Sequence, residues 1–436
     1  MAVPTAPTRS LDLPIRRAKV ELTPATRGLA AVDGWLYVAI AGICAFGLVM
    51  VYSASEVLAY DTTGNPSYYF ERQLIYLVLG LGGMLVLARV DYHHLLRWSR
   101  VIGLITVLML LAVLVPHLGK TVNGSERWFG FGFFDLQPSA LAAVAVIVVM
   151  GRWLSDRGTL IRSWRGIRDY LILLVVPVLL ILAERDLGST IVVAAVGGVL
   201  LLLAGAKWRH MLVLLLMGGG IGWLTVLAEP YRLSRLTCFG QSLQNDPLGS
   251  CWQGIQALYG LGSGGLTGVG LGNSIQKYLW LPEAHTDFIF AIIGEELGLI
   301  GTTAVVLAFT FLAWRGIRAS LRAPDRFGAL LAGGVTAWIC IQAFINVAAV
   351  TVLIPTTGIP LPFISYGGTA LVMNLMGVGI LCNVSAQGRR RGSPERHGVS
   401  GVVRQGALDR AHVDRRGRDG RPPDPGAGGR RRVARR

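Results

Sequence analysis

Glu283, His285 and Asp287 stand at alternate positions in 281-LPEAHTDFIF-290, where a long loop gives way to a strongly apolar run. Two carboxylates and an imidazole at such a seam can take up and pass on a proton. They can also do something simpler. Thr286 or Asp287 would cap a helix starting here, accepting its free N–H groups and favouring its dipole. A cap does not account for Lys277, Glu283 and His285 crowding the same seam. On residue chemistry alone the two readings of Asp287 stand level, and it is the catalytic candidate.

Other ionisable groups border apolar runs, where they are functional candidates by default. They fall in 183-AERDLGST-190, in 287-DFIFAIIGEELG-298 and in the loop 125-SERWFGFG-132. At 100° per residue Gly294 lies beneath Asp287, Gly298 continues that side, and Glu296 points the other way. Glu295 and Glu296 therefore cannot both share a cavity with Asp287, and at least one is expected to pair within the bundle. Gly294 and Gly298 form a small-xxx-small pair that admits a close neighbour. The cations Lys120, Arg127, Arg232, Arg235 and Lys277 could hold a lipid pyrophosphate. The chain has no GxSxG, HExxH, paired CxxC or Walker motif, and no metal cluster shows. The glycine-rich 260-GLGSGGLTGVGLGN-273 matches no phosphate loop and reads as a bent surface loop. The uncharged 354-IPTTGIPLPFISYGG-368, with three prolines and three glycines, reads as a re-entrant lid.

These residues must be held by membrane helices. Of 436 residues 53% are hydrophobic and only 15% charged, and mean hydropathy is +0.54; a soluble chain would carry about a quarter charged residues. Apolar runs predict ten spans, near 35–54, 70–88, 101–116, 137–151, 170–183, 188–205, 211–228, 287–314, 328–354 and 366–386. Loops after even-numbered helices hold 14 Lys and Arg, against 6 after odd-numbered ones. Both termini are then cytoplasmic, and the long loop 229–286, between helices 7 and 8, lies outside. The expected class is an all-α integral membrane protein. A basic segment 1–33 precedes a membrane domain 34–388, and an Arg-rich tail 389–436, expected to be disordered, comes after it. No cleavable signal peptide is recognisable in 1–33, so the first helix is expected to direct insertion. Most of the net charge of +16 sits in the tail and is explained by orientation and anionic lipid, with no need of nucleic acid. Cys44, Cys340 and Cys382 fall in spans, whereas Cys238 and Cys251 share the outer loop, where a disulfide between them could persist.

Seven stretches make the chain resemble the SEDS family (shape, elongation, division and sporulation) over about residues 30–388. They are 51-VYSAS-55, 127-RW-128, 137-QPS-139, 186-DLGST-190, 230-PYRLSRL-236, 268-GVGLGNSIQKYLWLPEAHTDFIFAIIGEELGLIG-301 and 355-PTTGIPLPFISYGGT-369. GNSIQK and LPEAHTDF are closer to the cell-division members than to the elongation members. The resemblance implies a ten-span fold and a peptidoglycan glycosyltransferase that polymerises lipid II, with undecaprenyl pyrophosphate as leaving group. It implies a class B penicillin-binding protein (a transpeptidase) as partner, along with other divisome membrane proteins and membrane lipid. The site would be the inner membrane, at the division septum. The family's essential acid corresponds to Asp287, acting as general base. Trp128, Asp186 and Ser365 lie in matching stretches and join Arg127, Arg232, Arg235, Lys277 and His285 as substrate-binding candidates. No cofactor is implied, although a divalent cation could accompany the pyrophosphate.

The chain departs from the family at two places. The usual QPSE-x-x-K reads 137-QPSALAA-143, so Ala140 and Ala143 replace an acid and a base. The usual Gln-Pro before Asp-Leu-Gly is Glu184-Arg185. Matched loss and gain suggest that Glu184 and Arg185 form a replacement cavity pair. A lipid II flippase and a non-catalytic scaffold for the penicillin-binding protein are the competing functions.

Overall fold

The computed structural model describes residues 33–116, 118–122, 125–130, 132, 134–157, 160–227, 249 and 251–392. Arg232, Arg235 and Cys238 lie outside the described residues. Contacts separate a unit ending at Gly388, which holds the helical bundle, from residues 389–436.

Eleven helices are present among the described residues. They are α1 Gly34–Thr63, α2 Tyr68–Arg89, α3 His93–Val113, α4 Pro138–Asp156, α5 Trp164–Ala183, α6 Leu187–Leu203, α7 Trp208–Leu227, α8 Trp252–Ser263, α9 Ile289–Leu321, α10 Arg326–Val350 and α11 Gly368–Gly392. Nine of them are long and apolar enough to cross a membrane. The tenth expected span, α6, is an apolar helix of 17 residues, the lower end of the roughly 17–25 that suffice. The eleventh, α8, lies in the long loop. Between α3 and α4 the chain forms a small antiparallel sheet of β1 Lys120–Val122, β2 Ser125–Gly130 and β3 Asp135–Leu136, which an all-helical reading lacks.

Local chemistry sets several boundaries. Pro138 occupies the first turn of α4, where its missing N–H costs no bond. Ser163, Asp186 and Asp325 cap α5, α6 and α10, each accepting a main-chain N–H three residues on. In the core α10 packs against α9, α4 and α6, and the buried side chains are mostly aliphatic.

The long helix α9 is broken. Gly298 has φ 65° and ψ −159°, so residues 289–297 and 299–321 are two helical pieces. The break orphans carbonyls on one side and N–H groups on the other. The glycine loop satisfies both. Val269 and Gly270 donate to the carbonyls of Glu295 and Glu296 at 2.9 and 3.0 Å, and Leu299 and Ile300 donate to those of Gly265 and Leu266 at 2.9 and 3.2 Å. A Cβ on Gly298 would stand 2.5 Å from Gly268 N and from Leu266 O. The glycine loop is thus a backbone splint for a broken membrane helix, and glycine is needed where the two backbones meet. Gly294 keeps its expected role, packing against Leu261 of α8.

Candidate active site

The segment before α9 determines where the acids go. The helix starts at Ile289 and its N-cap is Phe288, which makes no side-chain cap bond. Asp287 therefore precedes the cap, and neither it nor Thr286 closes the helix. The expected cap is overturned because the turn 283–288 closes on itself: the N–H groups of Thr286 and Phe288 donate to Glu283 O at 3.2 and 3.3 Å. The Thr286 hydroxyl lies 2.8 Å from Glu283 Oε2 and 3.0 Å from Asp287 Oδ1, linking the two carboxylates.

Asp287 is half-buried and opens into a small cleft. Phe288, Asn346, Ala349 and Val350 form one side of it, and Thr356, Thr357, Gly358 and Ile359 the other. The uncharged loop 354–368 thus closes over Asp287. Asn346 of α10 ties it down, donating from Nδ2 to Asp287 O at 2.7 Å and to Ile359 O at 2.8 Å.

The other end of the loop is fixed by His285 and Ser365. The buried imidazole packs between Tyr69 and Tyr366, with ring centroids at 4.5 and 5.6 Å, and His285 O accepts from Tyr366 N at 2.9 Å. Burial pushes its pKa down to about 4, against a smaller opposing pull from Glu283, so it is neutral at neutral pH. Ser365 is buried, accepts from Leu361 N at 2.8 Å, and offers its carbonyl to Gln73 Nε2 at 3.0 Å. Both residues hold the lid in place.

Lys277 is drawn away from Asp287. It is 2% exposed, and its ammonium donates to Glu56 of α1 at 3.1 Å and to Gly272 O at 2.6 Å. Glu295 and Glu296 are both paired inside the bundle. Glu295 accepts from Ser274 Oγ and from the N–H groups of Ile275 and Gln276, and Glu296 accepts from Ser53 of α1 at 2.6 Å.

Arg127, Asp186, Glu184 and Arg185 gather at the α5–α6 turn. Arg127 donates to the main-chain carbonyls of Glu184 and Arg185 at 3.2 and 2.6 Å. Asp186 accepts from Ser189, Gln137 and Ser139, which fills it with capping and inter-helix bonds. Trp128 lies on β2, half-buried, paired with Lys120 across the sheet. The structure does not make an ion pair of Glu184 and Arg185. Arg185 has φ 62° and turns its side chain to the surface, whereas Glu184 is 2% exposed. The Glu184 carboxyl oxygens accept no hydrogen bond among the described residues, and Arg127 acts on them only through its charge. Burial raises the Glu184 pKa, Asp186 adds to this, and Arg127 offsets part of it, leaving it at about 8. Ala140 and Ala143 lie on α4, Ala143 buried. This polar cluster reaches the Asp287 cleft through the first turn of α6, where Gly188 packs on Thr357 and Ile359.

Among the described residues no group of three His, Cys, Asp or Glu side chains could hold a metal ion. Cys251 is disulfide-bonded, and Cys238, its expected partner, falls outside the described residues. Sequence reasoning missed Thr286, Asn346 and Thr357 as site residues. Asn346 carried a readable signal: an amide within an apolar span usually bonds across the bundle.

The FtsW/RodA/SpoVE cell cycle protein family model matches residues 34–390. Stage V sporulation protein E of Bacillus subtilis is 44% identical over 347 residues, covering 79% of this chain and 94% of that protein. A probable peptidoglycan glycosyltransferase FtsW of Geobacter metallireducens is 40% identical over 360 residues, covering 82% and 95%. Among solved structures, a peptidoglycan synthase complex studied for its coordination of polymerization and crosslinking contains a chain that matches with TM-score 0.68 at 26% identity, covering 82% of this chain and 98% of that one. Rod shape determining protein RodA of Thermus thermophilus matches with TM-score 0.62 at 26% identity, covering 81% and 97%. With a helical bundle of this topology, and a family match over most of its length, the chain is a multi-pass membrane protein that belongs to the FtsW/RodA/SpoVE family of cell cycle proteins, the SEDS proteins.

Proposed function

We propose that the protein is a peptidoglycan glycosyltransferase that polymerises lipid II on the outer face of the cytoplasmic membrane, with Asp287 as general base. The observation that carries the reading is the position of Asp287, a half-buried carboxylate inside a cleft closed by the 354–368 loop. The reading is supported by relatives named as probable peptidoglycan glycosyltransferases. The Lys and Arg bias of the loops puts this cleft on the outer side.

In the reaction the 4-hydroxyl of the acceptor sugar gives its proton to Asp287 as its oxygen attacks the anomeric carbon of the donor. The bond from that carbon to the pyrophosphate oxygen breaks, and undecaprenyl pyrophosphate leaves with the bonding electrons. Asp287 must be ionised to begin and must release its proton before the next cycle. Arg127, with Arg232 and Arg235 outside the described residues, supplies charge for the pyrophosphate. His285, Ser365 and Asp186 act on the substrate indirectly, by fixing the lid and the α5–α6 turn. Lys277 is held by Glu56 and acts on the same framework. A class B penicillin-binding protein is the partner, in line with the crosslinking function of the synthase complex that this fold resembles. The protein works at the division septum alongside other divisome membrane proteins.

Purified full-length protein with its penicillin-binding protein should convert lipid II to glycan strands and release one undecaprenyl pyrophosphate per bond formed. Movement of lipid II across vesicles without strand formation would instead support a flippase. A stable complex that does neither would support a scaffold.

A further inference from the structure

Asn346 is 1% exposed, and its side-chain amide faces two ways. Nδ2 uses both its hydrogens, donating to Asp287 O and Ile359 O. That fixes the orientation of the amide, since a flip would set Oδ1 against two carbonyl oxygens. Oδ1 is left buried with no hydrogen-bond partner among the described residues, and Asn346 lines the Asp287 cleft. Thr357, another lining residue, has a hydroxyl oxygen that is buried and unpartnered in the same way. A buried acceptor without a donor is costly, and a native fold keeps few of them without a use. Two belong to residues that line one small cleft, beside the carboxylate proposed as base.

We infer that Asn346 Oδ1 is a substrate-positioning acceptor: it takes a hydrogen bond from a hydroxyl adjacent to the attacking one on the acceptor sugar. This rests on the proposed glycosyl transfer and adds to it a residue and a specificity. The ligand group must be a neutral O–H donor. An anion would be repelled by Oδ1 and by Asp287, and a cation would pair with Asp287 and quench the base. With one hydroxyl held by Asn346 and its neighbour facing Asp287, the ring has one orientation in the cleft. The same amide, through Nδ2, holds the Asp287 main chain and the lid, so substrate and base are set by one side chain.

The test uses full-length protein with its penicillin-binding protein and three acceptors: natural lipid II, and analogues whose acceptor sugar lacks the 3-hydroxyl or the 6-hydroxyl. Wild type should discriminate against one deoxy analogue by about tenfold or more in kcat/KM, because that analogue leaves Oδ1 unpaired. Asn346→Ala, slower overall, should discriminate against it less than about twofold. Asn346→Ser, which can still bond one of the two carbonyls, should show the same loss of discrimination if the alanine variant does not fold. Equal use of all three acceptors by wild type would overturn the inference while leaving the polymerase reading intact. Undiminished discrimination by both variants would overturn it as well. Absence of strands from natural lipid II would sink the polymerase reading itself, and the inference with it.

Discussion

Lys277 Nζ stands 3.1 Å from Glu56 Oε1, across 221 residues of sequence, and only the carboxylate reaches solvent. The two ends of this pair are unequal. Removing Glu56 leaves a buried ammonium with Gly272 O as its remaining bonded partner, whereas removing Lys277 leaves a carboxylate that water can reach. Glu56→Gln is therefore expected to cost about 3 kcal/mol of stability, and Lys277→Met about 1 kcal/mol. Thermal denaturation in detergent measures both. Equal losses would mean that Lys277 is not buried as described.

Thr286 has one hydroxyl proton and two carboxylates within reach. It positions Asp287, so Thr286→Val should lower kcat about tenfold, change KM little and leave melting unaltered, and Thr286→Ser should restore most of the rate. A valine variant with normal kcat would remove Thr286 from the account.

Gly298 combines a left-handed backbone with a contact too close for a Cβ. Gly298→Ala should cost more than about 2 kcal/mol and reduce folded yield sharply, whereas Gly82→Ala, where a Cβ meets nothing within 4 Å, should be nearly neutral. Comparable yields of the two variants would contradict the splinted break.

Glu184 and His285 give opposite pH dependences. The folded pKa of Glu184 is raised to about 8, so its protonated form is favoured and its contribution is lost as pH rises from the ordinary carboxylate range through about 8. The folded pKa of His285 is lowered to about 4, so its contribution is full above 6.5 and is lost as pH falls from there to about 4. Glu184→Gln should gain stability over wild type as pH rises, by a few kcal/mol at most above about 8. His285→Phe should flatten the acid limb. Melting curves between pH 4 and 9 test both, and parallel curves for Glu184→Gln and wild type would contradict a neutral buried acid.

The helical bundle was legible because apolar runs of span length have few other uses. Chemistry crowded at 281–290 was legible too, since acids at the start of an apolar helix are costly without a reason. What could not be read depends on partners distant in sequence. The break at Gly298 lies inside a single expected span, and glycine is common in membrane helices; only the loop 264–270 beside it turns glycine into a gap. Nothing in GNSIQK points to Glu56, so Lys277 reads as a free cation. The cap was misplaced because helix start and lid are set together, by Asn346 holding the carbonyls of Asp287 and Ile359. Glu184 and Arg185 read as a pair from the matched loss at Ala140 and Ala143, but the left-handed Arg185 turns one in and the other out.

The role of Asp287 is tested most directly by Asp287→Asn, which keeps the shape of the side chain and its contact with Thr286 but cannot take a proton. The measurement is the rate of glycan strand formation from lipid II by the full-length protein with its penicillin-binding protein. A loss of about a hundredfold or more, with complex formation and lipid II binding preserved, is expected. Strand formation within a few-fold of wild type would contradict Asp287 as the base.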